Sequence, residues 1–216
     1  MTYQTKIKVC GLRRMEDVDY VNVWKPDYIG FILAEGFRRQ ITPAQAERLA
    51  ERLDTQIQRV GVFVNQPVAF VSDLLDRGII QWAQLHGEED ETYIQSLREA
   101  CQNRGCQAGI LKAVRVRTAE DIRQAQGYTA DYLLLDAWSA KGAGGNGKTF
   151  DWSLINQVNR PFFLAGGLGP DNVAEAIRTV RPYGVDASSS LETDGYKDLD
   201  KVKQFITAAR GKVIGE

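Results

Sequence analysis

Short runs rich in apolar, β-branched and aromatic residues alternate with longer amphipathic segments along the whole chain. The runs fall at 7–10, 28–33, 58–64, 81–85, 109–114, 132–135, 162–165 and 184–187. They are apolar on both faces rather than alternating, as strands of a parallel sheet covered by helices must be. Between and after them, segments 15–23, 43–53, 67–77, 91–102, 119–126, 152–158, 171–179 and 199–209 carry apolar residues three and four apart, the period of a helix with one buried face. Several helices announce their starts. Thr42 precedes Pro43, Thr118 precedes Ala119-Glu120-Asp121, and Pro170-Asp171 opens the seventh, chemistries that satisfy or omit the unpaired N–H groups of a first turn.

Strict β and α alternation predicts a parallel α/β fold. Eight units in 216 residues leave about 27 residues each, enough for a strand, a helix of about 11 residues and two short loops. The count predicts a single-domain (β/α)8 TIM barrel spanning 1–216. An open doubly wound sheet is the alternative, but no G-x-G-x-x-G follows the first strand, where Cys10-Gly11-Leu12-Arg13-Arg14 stands.

Charge and composition narrow the partners. Lys plus Arg number 27 against 28 Asp plus Glu, a formal net charge of -1, which argues against nucleic acid held by bulk charge. The longest clean apolar stretch, about residues 28–34, is well short of the roughly 18 needed to cross a bilayer. No apolar segment backs the N-terminal charge, so no secretory signal is expected. Three cysteines, Cys10, Cys101 and Cys106, are too few for a disulfide framework, and the reducing cytoplasm is the expected compartment. With no interface patch legible, a monomer is expected.

In such a barrel the chemistry sits where the strands end. Cys10 ends the first strand, Glu35 to Arg39 follow the second, His86 the fourth, Asp136 the sixth, Gly166-Gly167 the seventh and Ser188 to Ser190 the eighth. The seventh and eighth strand loops are where barrels often hold phosphate: small residues let the backbone approach an anion, and a helix start adds partial positive charge. A third glycine-rich loop, with Gly145 and Gly147, follows the sixth strand. Cys10 read alone is a small buried hydrophobe, but at a strand's carboxyl end it is a candidate base. Asp136 emerges from a buried strand, as either a loop-capping aspartate or a general acid. Metal binding is not expected, because Cys101 and Cys106 belong to the opposite rim from Cys10 and His86. No G-x-S-x-G elbow is present, and Lys112, inside the fifth strand, leaves a Schiff-base lysine as a minor reading.

Six segments in chain order resemble the phosphoribosylanthranilate isomerase family, barrel enzymes of tryptophan biosynthesis. They are Lys8-Val9-Cys10-Gly11-Leu12, Gly61-Val62-Phe63-Val64-Asn65, Gln84-Leu85-His86-Gly87-Glu88, Gly145-Asn146-Gly147-Lys148-Thr149-Phe150-Asp151-Trp152, Ala165-Gly166-Gly167-Leu168 and Gly184-Val185-Asp186-Ala187-Ser188-Ser189. The resemblance implies Cys10 as general base, Asp136 as general acid, Arg39 on the anthranilate carboxylate and Asp186 on the sugar hydroxyls. It gives Gln84 and His86 places at the mouth, and sets Gly145, Gly147, Gly166, Gly167 and Ser188, Ser189 and Ser190 around phosphate. The implied substrate is a small sugar phosphate, rearranged without metal or organic cofactor. The related isomerase of histidine biosynthesis would be expected to use two carboxylates, against which Cys10 argues. Three positions depart from the usual pattern. Ser190 stands for a common Gly, Asn146 for Thr and Arg13 for Thr, and a positive φ at Ser190 would be strained.

Overall fold

Each expected strand pairs in parallel with the next in the computed structural model, which describes residues 4–136, 155 and 158–211. The strands are β1 (Lys6–Cys10), β2 (Tyr28–Ile32), β3 (Gln58–Phe63), β4 (Trp82–Leu85), β5 (Gly109–Arg115), β6 (Tyr132–Asp136), β7 (Phe162–Ala165) and β8 (Gly184–Ala187). They close in sequence order into a barrel, with β8 returning to β1 in the register Lys6↔Gly184 and Lys8↔Asp186. The helices are α1 (Met15–Trp24), α2 (Pro43–Arg52), α3 (Val68–Asp76), α4 (Glu91–Arg104), α5 (Ala119–Ala125), α6 (Val173–Val180) and α7 (Leu199–Ala209). Glycines 145 and 147 and most of the helix expected at 152–158 lie outside the described residues. Among the described residues no helix is long and apolar enough to cross a membrane.

The caps form as the local sequence dictates. Thr42 Oγ1 accepts the Gln45 N–H while Gln45 Oε1 accepts the Thr42 N–H at 2.8 Å, and Thr118 and Asp121 exchange the same pair. Each satisfies two first-turn donors. Two starts shift. α3 begins one residue late because Pro67 keeps an extended ψ of 141° as its cap. α6 begins at Val173 because Asn172 holds the preceding loop, accepting the Gly169 N–H at 2.9 Å and donating to the Gly167 carbonyl at 3.0 Å.

One element is absent from the expected order. After β8 a 3-10 turn, Ser189–Leu191, leads into a hairpin of β9 (Glu192–Thr193) and β10 (Tyr196–Lys197). Its two-residue connection, Asp194-Gly195, takes φ of 52° and 81°, the left-handed pair that suits tight hairpins.

Strand alternation sorts the core into two shells. Residues such as Ile7, Val9, Ile29, Leu85, Leu133 and Val185 pack outward against the helices. The others face the barrel axis, where Tyr28, Val60, Leu111, Leu134 and Phe163 form a separate inner cluster with Trp82, Tyr132 and Tyr183. A side chain's parity along its strand therefore decides whether it meets helices or the axis.

Candidate active site

The inward parity that fills the lower barrel with aromatic rings continues toward the strands' carboxyl ends as Lys8 and Cys10, Gln84 and His86, Asp136, and Asp186. These side chains, Lys8 excepted, line a cavity of about 440 Å³ together with Ile32, Val62 and Ala165. Phe37, Arg38 and Arg39 from the loop after β2 form one wall, and Gly166, Gly167 and Ser188 to Ser190 another. The cavity thus unites every described residue expected at the site.

Cys10 is buried but reaches this cavity through a gap in β2. Its register partner is Gly30, where an added Cβ would fall 2.5 Å from the Cys10 sulfur. Burial pushes the thiol above its usual range. The Lys8 ammonium opposes that shift, Asp186 adds to it, and Lys197 opposes it more weakly. Lys8 itself is fully buried two residues before Cys10 and donates to Asp186 Oδ1 at 2.9 Å. The pair is set directly by the β1–β8 register.

Across the cavity, His86 Nε2 lies 3.5 Å from Asp136 Oδ2, and the Gln84 side-chain amide meets His86 Nδ1 at 2.8 Å. With the amide nitrogen donating there, Nδ1 is the acceptor and Nε2 is the ring nitrogen that faces Asp136. Gln84 Oε1 is buried without a hydrogen-bond partner among the described residues, an acceptor worth about 1–3 kcal/mol to satisfy.

The anion loops are built mainly of backbone. Gly166 and Gly167 have φ of 87° and 67°, open to glycine at little cost. Ser188 Oγ donates to the Cys10 carbonyl at 2.9 Å, and Ser190 Oγ donates to the Leu168 carbonyl. Both hydroxyl protons are thereby committed to holding the loops together. Ser190 lies in the 3-10 turn and is absent from the described non-glycine residues with positive φ, so the strain expected there does not arise. Arg13, the other described departure, donates to the carbonyls of Arg38 at 3.2 Å and Gly195, tying the β2 loop to the hairpin.

One expectation resolves differently. Lys112 belongs to the outward parity of β5, beside Leu85 and Leu133. It donates to Gly87 O at 2.9 Å and pairs with Glu89 at 3.2 Å. It anchors the loop after β4 and does not line the cavity. Arg39 does line the cavity, but one edge of its guanidinium is already held by Glu192. Sequence reasoning assigned no role to Lys8, Glu192 or Lys197. The Asp194-Gly195 pair was the available signal for the hairpin, and Lys8 stands on the same strand face as Cys10.

The chain matches the sequence profile of N-(5′-phosphoribosyl)anthranilate isomerases over residues 7–208. A protein of that name from Endomicrobium trichonymphae is 45% identical over 205 residues, covering 95% of this chain and 98% of its own. The crystal structure of phosphoribosyl anthranilate isomerase from Thermotoga maritima superposes with a TM-score of 0.85 at 36% identity, over 96% of this chain and all of its own. Another, at TM-score 0.82, 34% identity and the same coverage, is a complex with reduced 1-(o-carboxyphenylamino)-1-deoxyribulose 5-phosphate. A third, of monomers generated from the dimeric Thermotoga maritima enzyme, reaches 0.81 at 35% identity, again over 96% of this chain and all of its own.

Proposed function

This chain belongs to the N-(5′-phosphoribosyl)anthranilate isomerase family of tryptophan biosynthesis, and from that premise we propose that Cys10 and Asp136 are the base and acid of its aldose–ketose rearrangement. The observation that carries this assignment is their convergence: β1 and β6 deliver a thiol and a carboxyl group, both of inward parity, to one cavity.

Asp136, as general acid, gives a proton to the furanose ring oxygen while the anthranilate nitrogen pushes its lone pair toward C1. The C1–O bond breaks, leaving an open-chain iminium. That iminium is an electron sink which acidifies the C2 hydrogen. Cys10, as the thiolate that burial disfavours and the Lys8 ammonium favours, removes this proton, the electrons pass to nitrogen, and the resulting enolamine tautomerises to the ketone. Because the substrate supplies its own sink, the reaction as drawn uses neither metal nor organic cofactor.

The remaining cavity residues bind. Arg39 offers a guanidinium fork to the anthranilate carboxylate, and Asp186, with Oδ1 on Lys8, accepts from the sugar hydroxyls. Gln84 Oε1 supplies an acceptor and His86 orients Asp136. Gly166, Gly167 and Ser188 to Ser190 take the phosphate through backbone N–H groups. Charge-assisted bonds of about 1.5–3 kcal/mol each make that phosphate a remote anchor for the reacting carbon. A monomer is the working unit of this reading, and sedimentation checks it. The base must remain a reduced thiol, which supports a cytoplasmic setting.

Cys10→Ala and Asp136→Asn should each lower turnover roughly 100-fold or more while sparing substrate affinity, the size of lost acid or base help. Fluorescence detection of anthranilate–ribose phosphate turnover measures this. A near-wild-type rate in either variant removes that residue from the mechanism.

A further inference from the structure

Glu192 has no part in the chemistry above, yet it is held as firmly as any residue near the cavity. It opens β9 with a side chain only 5% exposed. Its carboxylate forks the Arg39 guanidinium, accepting from Nε at 2.5 Å and from Nη2 at 2.8 Å. Lys197, its register partner on β10, donates to Glu192 Oε1 at 2.8 Å and to the Ser188 carbonyl at 3.0 Å. A continuous chain of charged bonds therefore runs from the loop after β2 to the anion loop after β8.

The rest of the hairpin braces this chain. Arg14 donates to the Lys197 carbonyl at 3.0 Å. The Arg13 and Arg14 guanidiniums lie 4.7 and 4.4 Å from the Tyr196 ring centroid. The stem of Arg39 crosses Gly11, where φ is 85° and an added Cβ would fall 2.8 Å from Cδ. Any residue but glycine there would push Arg39 aside.

A guanidinium has two forked edges, one formed by Nε and Nη2 and the other by Nη1 and Nη2. Glu192 occupies the first. The second is the edge Arg39 retains for a carboxylate arriving in the cavity it lines. An arginine side chain left loose would lose substantial rotamer freedom on binding, and the Glu192 fork removes that freedom beforehand.

We propose that Glu192 is a positioning residue that, with Lys197, presents the free edge of Arg39 to the aryl carboxylate of the substrate, so that the β9–β10 hairpin sets the preference for carboxylated aryl amines. This rests on the reading of Arg39 given above.

The test compares N-(5-phosphoribosyl)anthranilate with N-(5-phosphoribosyl)aniline, which lacks the carboxylate, in the wild type, Arg39→Met, Glu192→Gln and the double variant. Wild type should prefer the carboxylated substrate, and Arg39→Met should abolish that preference. Glu192→Gln should raise KM for the carboxylated substrate about tenfold, with kcat nearly unchanged and the aniline substrate unaffected. In the Arg39→Met background it should add nothing. Should Glu192→Gln fold poorly for want of a counterion to Lys197, Glu192→Gln/Lys197→Met removes both charges and answers the same question.

An equal loss on both substrates, or a full additional loss in the double variant, overturns the proposal in favour of a scaffold role. A preference lost in Arg39→Met but intact in Glu192→Gln overturns it while leaving the Arg39 reading standing. A wild type that turns over neither substrate overturns the reading beneath it.

Discussion

Where the strands begin, the barrel axis is filled by Tyr28, Trp82, Tyr132, Phe163 and Tyr183, rings meeting edge to face, tilted or stacked at centroid distances of 4.3 to 5.9 Å. Where the strands end, the same inward positions hold a thiol, an amide, two carboxylates and a buried ammonium around a cavity. Both ends obey one alternation along the same strands. The first closes the barrel with large rings whose few polar tips are partnered, Trp82 Nε1 donating to Gln58 Oε1 at 3.3 Å and the Tyr28 and Tyr183 hydroxyls meeting at 3.5 Å. The second gives up that packing for groups that are costly to bury and are therefore paired, Lys8 with Asp186 and Glu192 with Arg39, Lys197 and, at longer range, Arg38. Stability is concentrated at one end and chemistry at the other.

The sharpest way to break the comparison is to damage the aromatic end. Phe163 is fully buried and touches the rings of Tyr28, Tyr132 and Tyr183 at 5.3, 5.8 and 5.4 Å. It also fills the space opened by Gly184, where a Cβ would meet the ring at 2.4 Å. Phe163→Ala should cost about 3–5 kcal/mol of stability, read as a lower urea midpoint. Turnover of the fraction still folded should stay near wild type, because no ring of this cluster lines the cavity. A loss of kcat comparable to that expected for Cys10→Ala would mean that the two ends are mechanically coupled.

That division also explains what could be read in the sequence. The barrel was legible because burial on both strand faces and helical spacing are local patterns, repeated eight times. The positions at strand ends followed from topology, so Cys10 and Asp136 could be named from the sequence pattern, whereas the roles of Arg39 and Asp186 came from the family resemblance. Pairing was not legible. The Lys8–Asp186 bond joins residues 178 positions apart and the Arg39–Glu192 fork spans 153, and no local periodicity encodes either. The β9–β10 hairpin is too short to show alternation, leaving the Asp194-Gly195 turn as its one local mark. Lys112 looked chemically suggestive because strand membership alone does not tell inward from outward; parity relative to Leu85 and Leu133 does.

A smaller perturbation sharpens the comparison at the catalytic end. Gly30→Ala places a Cβ 2.5 Å from the Cys10 sulfur and 3.2 Å from Cys10 Cα. The sulfur must rotate away or β1 and β2 must separate. Turnover should fall about tenfold, the sensitivity expected when a reacting group is displaced by a fraction of its working distance, with only a modest loss of stability. Alkylation of Cys10 by iodoacetamide should change rate in parallel. Unaltered turnover with the side chain accommodated would show that the gap at Gly30 is not what admits the thiol to the cavity.

The smallest expected effect is a pH dependence carried by the charged end alone. Burial raises the Glu192 pKa, but hydrogen bonds and charge from Arg39 and Lys197 outweigh it, and the net position is below the usual 4.5. Arg38, 3.7 Å away, faces the same carboxylate. A carboxylate with a depressed folded pKa contributes stability that is fully present above its unfolded pKa and is lost as pH falls through the folded value. The urea midpoint of the wild type should therefore approach that of Glu192→Gln as pH is lowered below about 4.5. The aromatic end contributes nothing to this change, since phenols, indole and phenyl rings do not ionise there. In Phe163→Ala the same convergence on lowering pH should appear, displaced uniformly to lower urea. A gap between wild type and Glu192→Gln that stayed constant across this window would mean that the carboxylate is not held ionised by the cations around it.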